Sequence, residues 1–256
     1  MFDTHIHTKF STDSDMKIEK ALNDAKRKGL SLIITDHMDL KFPKKGLFCF
    51  DEKKYFEEYS KYKGNNLLIG IEIGMKEDCE TESRKLINDN CFDYVIGSIH
   101  LIDDQDLYYG EYYSGKTKKQ AYDKYFKTMF DCVRMYDFID SMGHIDYISR
   151  YAKFDDKEIY YNEHANLIDS IFNVIIERDQ CIELNTRRLS DKTAVKGMIP
   201  IYKRFRELGG RYITIGSDAH NVDAIGMNFK VGLEIADMCN LKIVYFKNRK
   251  REYEKY

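Results

Sequence analysis

Short β-branched and apolar runs alternate along this chain with longer stretches whose apolar residues recur every three to four positions, the pattern of successive strand and helix units. It predicts strands at residues 1–5, 31–35, 67–73, 94–97, 138–142, 181–185 and 212–216, with 242–246 as an eighth run. Helices are predicted at 15–28, 51–63, 81–90, 116–136, 162–178 and 201–208. Ile18, Ala21, Leu22 and Ala25 share one face of the first, and Leu167, Ile168, Ile171, Phe172 and Ile175 one face of the fifth, as core-facing stripes do. Gly29, Gly64 and Gly209-Gly210 stand where helices need stops, and Pro200 where a first helical turn tolerates a missing N–H. No Pro/Gly/Ser-rich linker, low-complexity tract or long repeat divides the pattern, so one domain over residues 1–256 is expected.

Composition narrows the function classes. A net charge of -2 offers no field to attract nucleic acid or an anionic membrane, neither of which is an expected partner, so any anionic substrate must be captured by local charge. No run approaches membrane-span length, and Met1-Phe2-Asp3 opens without a basic or apolar leader, which points to the cytoplasm. Cys49, Cys79, Cys91, Cys132, Cys181 and Cys239 are scattered without a C-x-x-C pair and read as reduced thiols. Oligomeric state is left open.

Polar residues that break the apolar pattern carry the chemistry. His5, Asp36-His37, Glu72, His100, His144, Arg187 and Asp218 all fall at or just after the C-terminal end of a predicted strand. A (β/α) barrel keeps its active site there, whereas an open doubly wound sheet would use only the strands around a switch point. A barrel of seven or eight units is therefore expected.

Six of the seven histidines (His5, His7, His37, His100, His144 and His220) fall in these strand-end motifs. His5 and His7, two apart on a strand, point to one side and can hold one cation, with Glu72 and Asp218 as candidate carboxylates. Glu72 interrupts the apolar strand Gly70-Ile71-Glu72-Ile73-Gly74 and would cost several kcal/mol to bury unpaired. With His100 and His144 it forms a second set. Asp13, His37 and His220 form a third, although Ser11-Thr12-Asp13-Ser14-Asp15 also reads as a helix N-cap region. Asp36 either orients a ligand or caps a turn. His164, on a predicted helix without ligand-type neighbours, reads as a surface residue.

The order of these motifs (H-x-H, S-x-D-S, D-H, G-x-E, G-S-x-H, G-H-x-D and G-S-D-A-H) resembles the polymerase and histidinol phosphatase (PHP) superfamily from His5 to His220. Within it, the length and the G-H-I-D-Y-I-x-R and E-L-N-T-R segments resemble the stand-alone histidinol-phosphate phosphatases. The resemblance implies a distorted, TIM-barrel-like (β/α)7 barrel with three divalent metal ions at the C-terminal ends of its strands. By position the first ion takes His5, His7, Glu72 and Asp218, the second Glu72, His100 and His144, and the third Asp13, His37 and His220. Some family members carry histidine at the position of Asp13, and this harder oxygen ligand leaves zinc, manganese and iron all open.

Such a centre implies hydrolysis of a phosphate monoester, and the resemblance implies L-histidinol phosphate as that ester, a step of histidine biosynthesis. Glu72, Asp218 and His220 are the candidate catalytic groups, and the leaving-group acid stays open among a water on the metals, Asp218 and His220. Arg150 and Arg187 are placed to bind phosphate, while Arg188 should point the other way if the segment is extended. Residues 102–116 carry Asp103, Asp104, Asp106 and Glu111 among four tyrosines, and read either as a lid suited to imidazole and ammonium or as a solvated loop. Competing readings are a phosphoesterase for phosphotyrosine or another ester, which shares the metal site, and a non-catalytic PHP module, which predicts missing ligands.

Overall fold

A computed structural model describes residues 1–253; positions 254–256 of the expected domain lie outside the described residues. Its strands are β1 (Phe2–Ile6), β2 (Ser31–Ile34), β3 (His37–Met38), β4 (Leu67–Gly74), β5 (Tyr94–Ser98), β6 (Leu101–Ile102), β7 (Gln105–Asp106), β8 (Ser141–Met142), β9 (Cys181–Asn185), β10 (Tyr212–Gly216), β11 (Lys242–Lys247) and β12 (Lys250–Tyr253). The helices are α1 (Ile18–Lys28), α2 (Glu52–Tyr59), α3 (Glu80–Asp89), α4 (Lys118–Met135), α5 (Tyr147–Tyr151), α6 (Tyr161–Glu177), α7 (Lys192–Glu207) and α8 (Phe229–Met238). No helix among the described residues is long and apolar enough to cross a membrane.

β1, β2, β4, β5, β8, β9 and β10 pair in parallel, in that order. The ring closes between β10 and β1 at the strands' C-terminal ends: Asp218 N donates to His5 O and His7 N to Ala219 O, each at 2.8 Å. This is the distorted seven-stranded barrel, with helices packed outside through their apolar stripes. β4 is buried on both faces, so its continuous apolar run leaves Glu72 no route to solvent.

The eighth run is not a stave of the ring. β11 joins only the start of β10 (Tyr212 and Ile213 opposite Lys242 and Ile243) and turns back as a hairpin with β12. Val244 and Phe246 then pack with Phe2, Ile33, Leu68, Tyr94, Ile96 and Cys181 into a separate apolar cluster at the strands' N-terminal ends. Three local expectations also change. The helix expected at 201–208 begins at Lys192, capped by the Asp191 carboxylate on Thr193 N, and carries Pro200 inside it. α8 stands where the pattern predicts no helix. His164 is 3% exposed, not on the surface: it packs between Tyr122 and Phe126 and its Nδ1 lies 2.7 Å from Asp123.

Candidate metal centre

The strand ends bring all nine predicted ligand residues together. His5 Nε2 and His7 Nε2 lie 3.0 Å apart, as alternation along β1 requires. Asp218 Oδ1 is 3.2 Å from His7 Nε2 and 3.7 Å from His5 Nε2, while Glu72 Oε1 is 3.4 Å from His5 Nε2. That same Oε1 is 2.9 Å from His144 Nε2 and 3.3 Å from His100 Nε2, so Glu72 joins the first and second sets. Its Oε2 lies 2.8 Å from His37 Nδ1 and reaches the edge of the third. There Asp13 stands 3.1 Å from His220 Nε2 and 3.7 Å from His37 Nε2, on the solvent side.

The donor chemistry fits divalent ions. Three triads drawn from these residues (His5, His7 and Glu72; Glu72, His100 and His144; His7, His37 and His220) keep their donor atoms within 4.8 Å of one another. Glu72 Oε2, His37 Nδ1 and His100 Nε2 are buried close to one another's donor sets, yet among the described residues none of them has a well-directed hydrogen bond. Native interiors rarely tolerate such atoms, and a cation among them would satisfy them together. Burial opposes the charge on Glu72, yet His5, His100 and His37 hold its carboxyl well below the usual range. Burial likewise opposes Asp218, which Arg150 and His5 keep ionised. His7 is pushed well down by burial and by His220 and His37, which leaves it the neutral imidazole that a metal needs.

A second layer orients these donors. Asp36 does both things expected of it: it accepts from Thr8 N at 2.7 Å in the turn after β1 and from Ser11 Oγ at 2.8 Å, and Ser11 Oγ lies 3.0 Å from His7 Nδ1. Asp3 accepts from Ser217 N at 2.9 Å and Gly226 N at 2.8 Å, tying β1 to the loop after β10; burial pushes its carboxyl up to about 6. Two further carboxylates escaped the sequence reading. Glu183 on β9 holds His5 Nδ1 at 2.6 Å and accepts from His144 N at 2.7 Å. Asp39 stands 2.9 Å from His100 Nδ1. Glycine makes room for both, since a Cβ at Gly216 would overlap Glu183 and His5, and one at Gly74 would overlap Asp39. The signal available for Glu183 was the one used for Glu72, a lone acid in an apolar strand (Cys181-Ile182-Glu183-Leu184-Asn185).

Both predicted phosphate-binding arginines reach Asp218. Arg150 lies on short α5 instead of a strand end, but its side chain is 5% exposed and pairs with Asp218 Oδ2, leaving Nε and Nη2 without partners among the described residues. Arg187 Nη1 donates to Asp218 O at 3.2 Å, and its side chain stays 36% exposed. Arg188 turns away to Asp146 and Glu158. Outside the cluster opens a cavity of about 710 Å³, lined by Asp13, His37, His100, Arg187 and His220 on its inner side and by Phe48, Tyr108, Tyr147 and Tyr151 farther out. Residues 102–116 form one wall of it, anchored by buried Leu107, Tyr112 and Tyr113.

Residues 3–187 match the model of the PHP domain. A probable histidinol-phosphatase of Clostridium acetobutylicum is 53% identical over 254 residues, which is 99% of either chain. A histidinol-phosphatase of Lactococcus lactis is 32% identical over 226 residues, 85% of this chain and 83% of the relative. A crystal structure of histidinol phosphate phosphatase from Lactococcus lactis, complexed with zinc, L-histidinol and phosphate, matches with a TM-score of 0.92 and 28% identity over 98% of both chains.

Proposed function

The chain belongs to the PHP family, and on that premise we propose that it is a metal-dependent phosphomonoesterase converting L-histidinol phosphate to L-histidinol and phosphate. Near-full-length identity to histidinol-phosphatases supports the substrate. The observation that carries the chemistry is the convergence of nine ligand-type residues, seven of them buried, beside two arginines that share one carboxylate.

His5, His7, Glu72 and Asp218 would hold one ion, Glu72, His100 and His144 a second, and Asp13, His37 and His220 a third, with zinc, manganese and iron as the candidates. Bound divalent ions supply Lewis acidity to the phosphoryl oxygens and acidify the attacking water. Arg150, with two free donors, and Arg187 offer charge-assisted hydrogen bonds to the phosphate. Asp218, kept ionised beside Arg150, suits accepting a proton better than donating one. His220 lines the cavity next to Arg187, which keeps it a candidate to protonate the leaving oxygen. Strands from both halves of the chain close one ring, which supports one catalytic domain over residues 1–256. Six unpaired cysteines support a reducing cytoplasm as its location.

Protein reconstituted separately with zinc, manganese and iron should cleave L-histidinol phosphate with kcat/KM about 30- to 160-fold above p-nitrophenyl phosphate, as two to three kcal/mol of specific contacts would give. Equal rates would sink the substrate assignment. The aromatic outer cavity also favours a second reading, an aryl phosphate such as phosphotyrosine, and a preference for that ester in the same assay would select it.

A further inference from the structure

The pair Arg187-Arg188 sends its two side chains to opposite sides, and only the first enters the cavity. Arg188 is 11% exposed and lies between two carboxylates that are themselves buried, Asp146 and Glu158. Its Nη1 stands 3.3 Å from Asp146 Oδ2, and its Nη2 pairs with Glu158 Oε1. Three buried charges are costly to assemble, and apolar residues of similar volume would fill the same space with less desolvation. What such a cluster offers instead is direction, because one planar fork fixes two carboxylates at once.

The direction is given to α5. Asp146 stands immediately before this five-residue helix, and Arg150 follows four positions later, one helical turn on. A helix so short has no stability of its own, and the Asp146 side chain does not cap it. Arg188 engages that side chain instead. Beyond α5 the chain returns through Glu158, whose N donates to Asp156 Oδ1 at 3.1 Å, and Asp156 is held by Lys118 of α4 at 3.0 Å. The turn carrying Arg187 and Arg188 is itself fixed, since Thr186 N donates to Gly216 O at 2.8 Å and Leu189 N to Thr186 O at 3.1 Å. Arg188 therefore ties both flanks of α5, the residue before it and the segment after it, to one rigid turn.

Arg150 is what this helix presents. Its guanidinium spends one nitrogen on Asp218 and keeps Nε and Nη2 without partners among the described residues. Burial opposes its charge, and Asp218 and then Asp146 hold it. Resting on the phosphatase reading above, we propose that Arg188 is a positioning residue: by holding Asp146 and Glu158 it fixes α5, and so keeps the free donors of Arg150 at Asp218, ready for the phosphate that Arg187 meets from the cavity. One two-residue segment then sets both phosphate-binding arginines, Arg187 directly and Arg150 through α5.

The test uses zinc-loaded protein with inorganic phosphate as the probe. Arg188→Lys keeps a cation for the two buried acids, so that the fold stands, but loses the fork. The inhibition constant of phosphate and the KM for L-histidinol phosphate should both rise about 10-fold, as loss of an outer partner of a binding group does, while zinc per chain stays at the native value. Asp146→Asn should give the same pattern. Action through Arg150 makes the effect non-additive: in an Arg150→Lys background, Arg188→Lys should raise the phosphate constant by no more than about twofold. A lower melting temperature with an unchanged phosphate constant would make Arg188 a structural residue and overturn the proposal, as would an undiminished rise in the Arg150→Lys background. Native zinc-loaded protein that cleaves neither L-histidinol phosphate nor p-nitrophenyl phosphate overturns the phosphatase reading, and this inference with it.

Discussion

The two mouths of the barrel hold buried carboxylates in opposite conditions. At the N-terminal mouth Asp140 accepts from Val95 N at 2.8 Å and Arg249 Nε at 2.6 Å, and Asp93 from Ile69 N and Asn248 N at 3.0 Å and Lys63 Nζ at 2.8 Å. Those charges are matched inside the protein, under an apolar layer that includes Phe2, Tyr94 and Phe246. At the C-terminal mouth Glu72 and Asp218 face imidazole edges and arginines, with polar atoms left over. The contrast shows that burial of charge does not by itself mark a site. A carboxylate whose neighbours are satisfied closes a fold, whereas one whose neighbours share an unfilled need gathers a ligand.

Substitutions can break this comparison. The largest effect belongs to Glu72→Gln, since Glu72 touches all three donor sets: kcat/KM should fall about 10³-fold, near the upper cost of losing one preorganised electrostatic group. Elemental analysis should find less metal per chain. Unchanged activity would end the metalloenzyme account. Glu183→Gln comes next, because it frees His5 and the His144 backbone without removing a ligand, and metal affinity measured by competition with a chelator should drop about 10- to 100-fold. An unaltered affinity would make Glu183 a packing residue only.

Phe246→Ala addresses the opposite mouth. It should destabilise the fold by about 3–5 kcal/mol, as large-to-small core changes do, and lower the melting temperature while activity per folded molecule persists. Loss of metal in this variant would mean that the mouths are not independent. His164 belongs to neither mouth and calibrates the smallest effect. Burial holds its imidazole below the ordinary value, against the pull of Asp123. The folded state therefore binds this proton less tightly than the unfolded chain, so stability falls as pH drops below about 6.5. His164→Gln keeps a donor for Asp123 and should flatten that part of the melting-temperature profile; an unchanged slope would assign it to other groups.

The strand positions and the candidate ligand residues were legible because both follow period and interruption: apolar runs of strand length ending in His, Asp or Glu. Glu72 announced itself as a charge in an apolar strand. Asp39 could not, because its partner His100 is 61 positions away and nothing local marks the pair. Pro200 misled in a different way. It forgoes one N–H within α7, and a proline in mid-helix costs about 3 kcal/mol that tertiary packing must offset. Buried Met198, Ile201 and Phe205 supply that packing. β11 read correctly as a strand, but which strand it joins depends on long-range pairing that periodicity does not encode. His164 looked exposed because its burial comes from α4, far away in sequence.

The central claim is that the donors at one mouth gather divalent ions for phosphate release. The direct measurement is phosphate released from L-histidinol phosphate as zinc is titrated into chelator-stripped protein. The account predicts no turnover at the start and a rise that levels off at three ions per chain. Full activity in the stripped protein would contradict it.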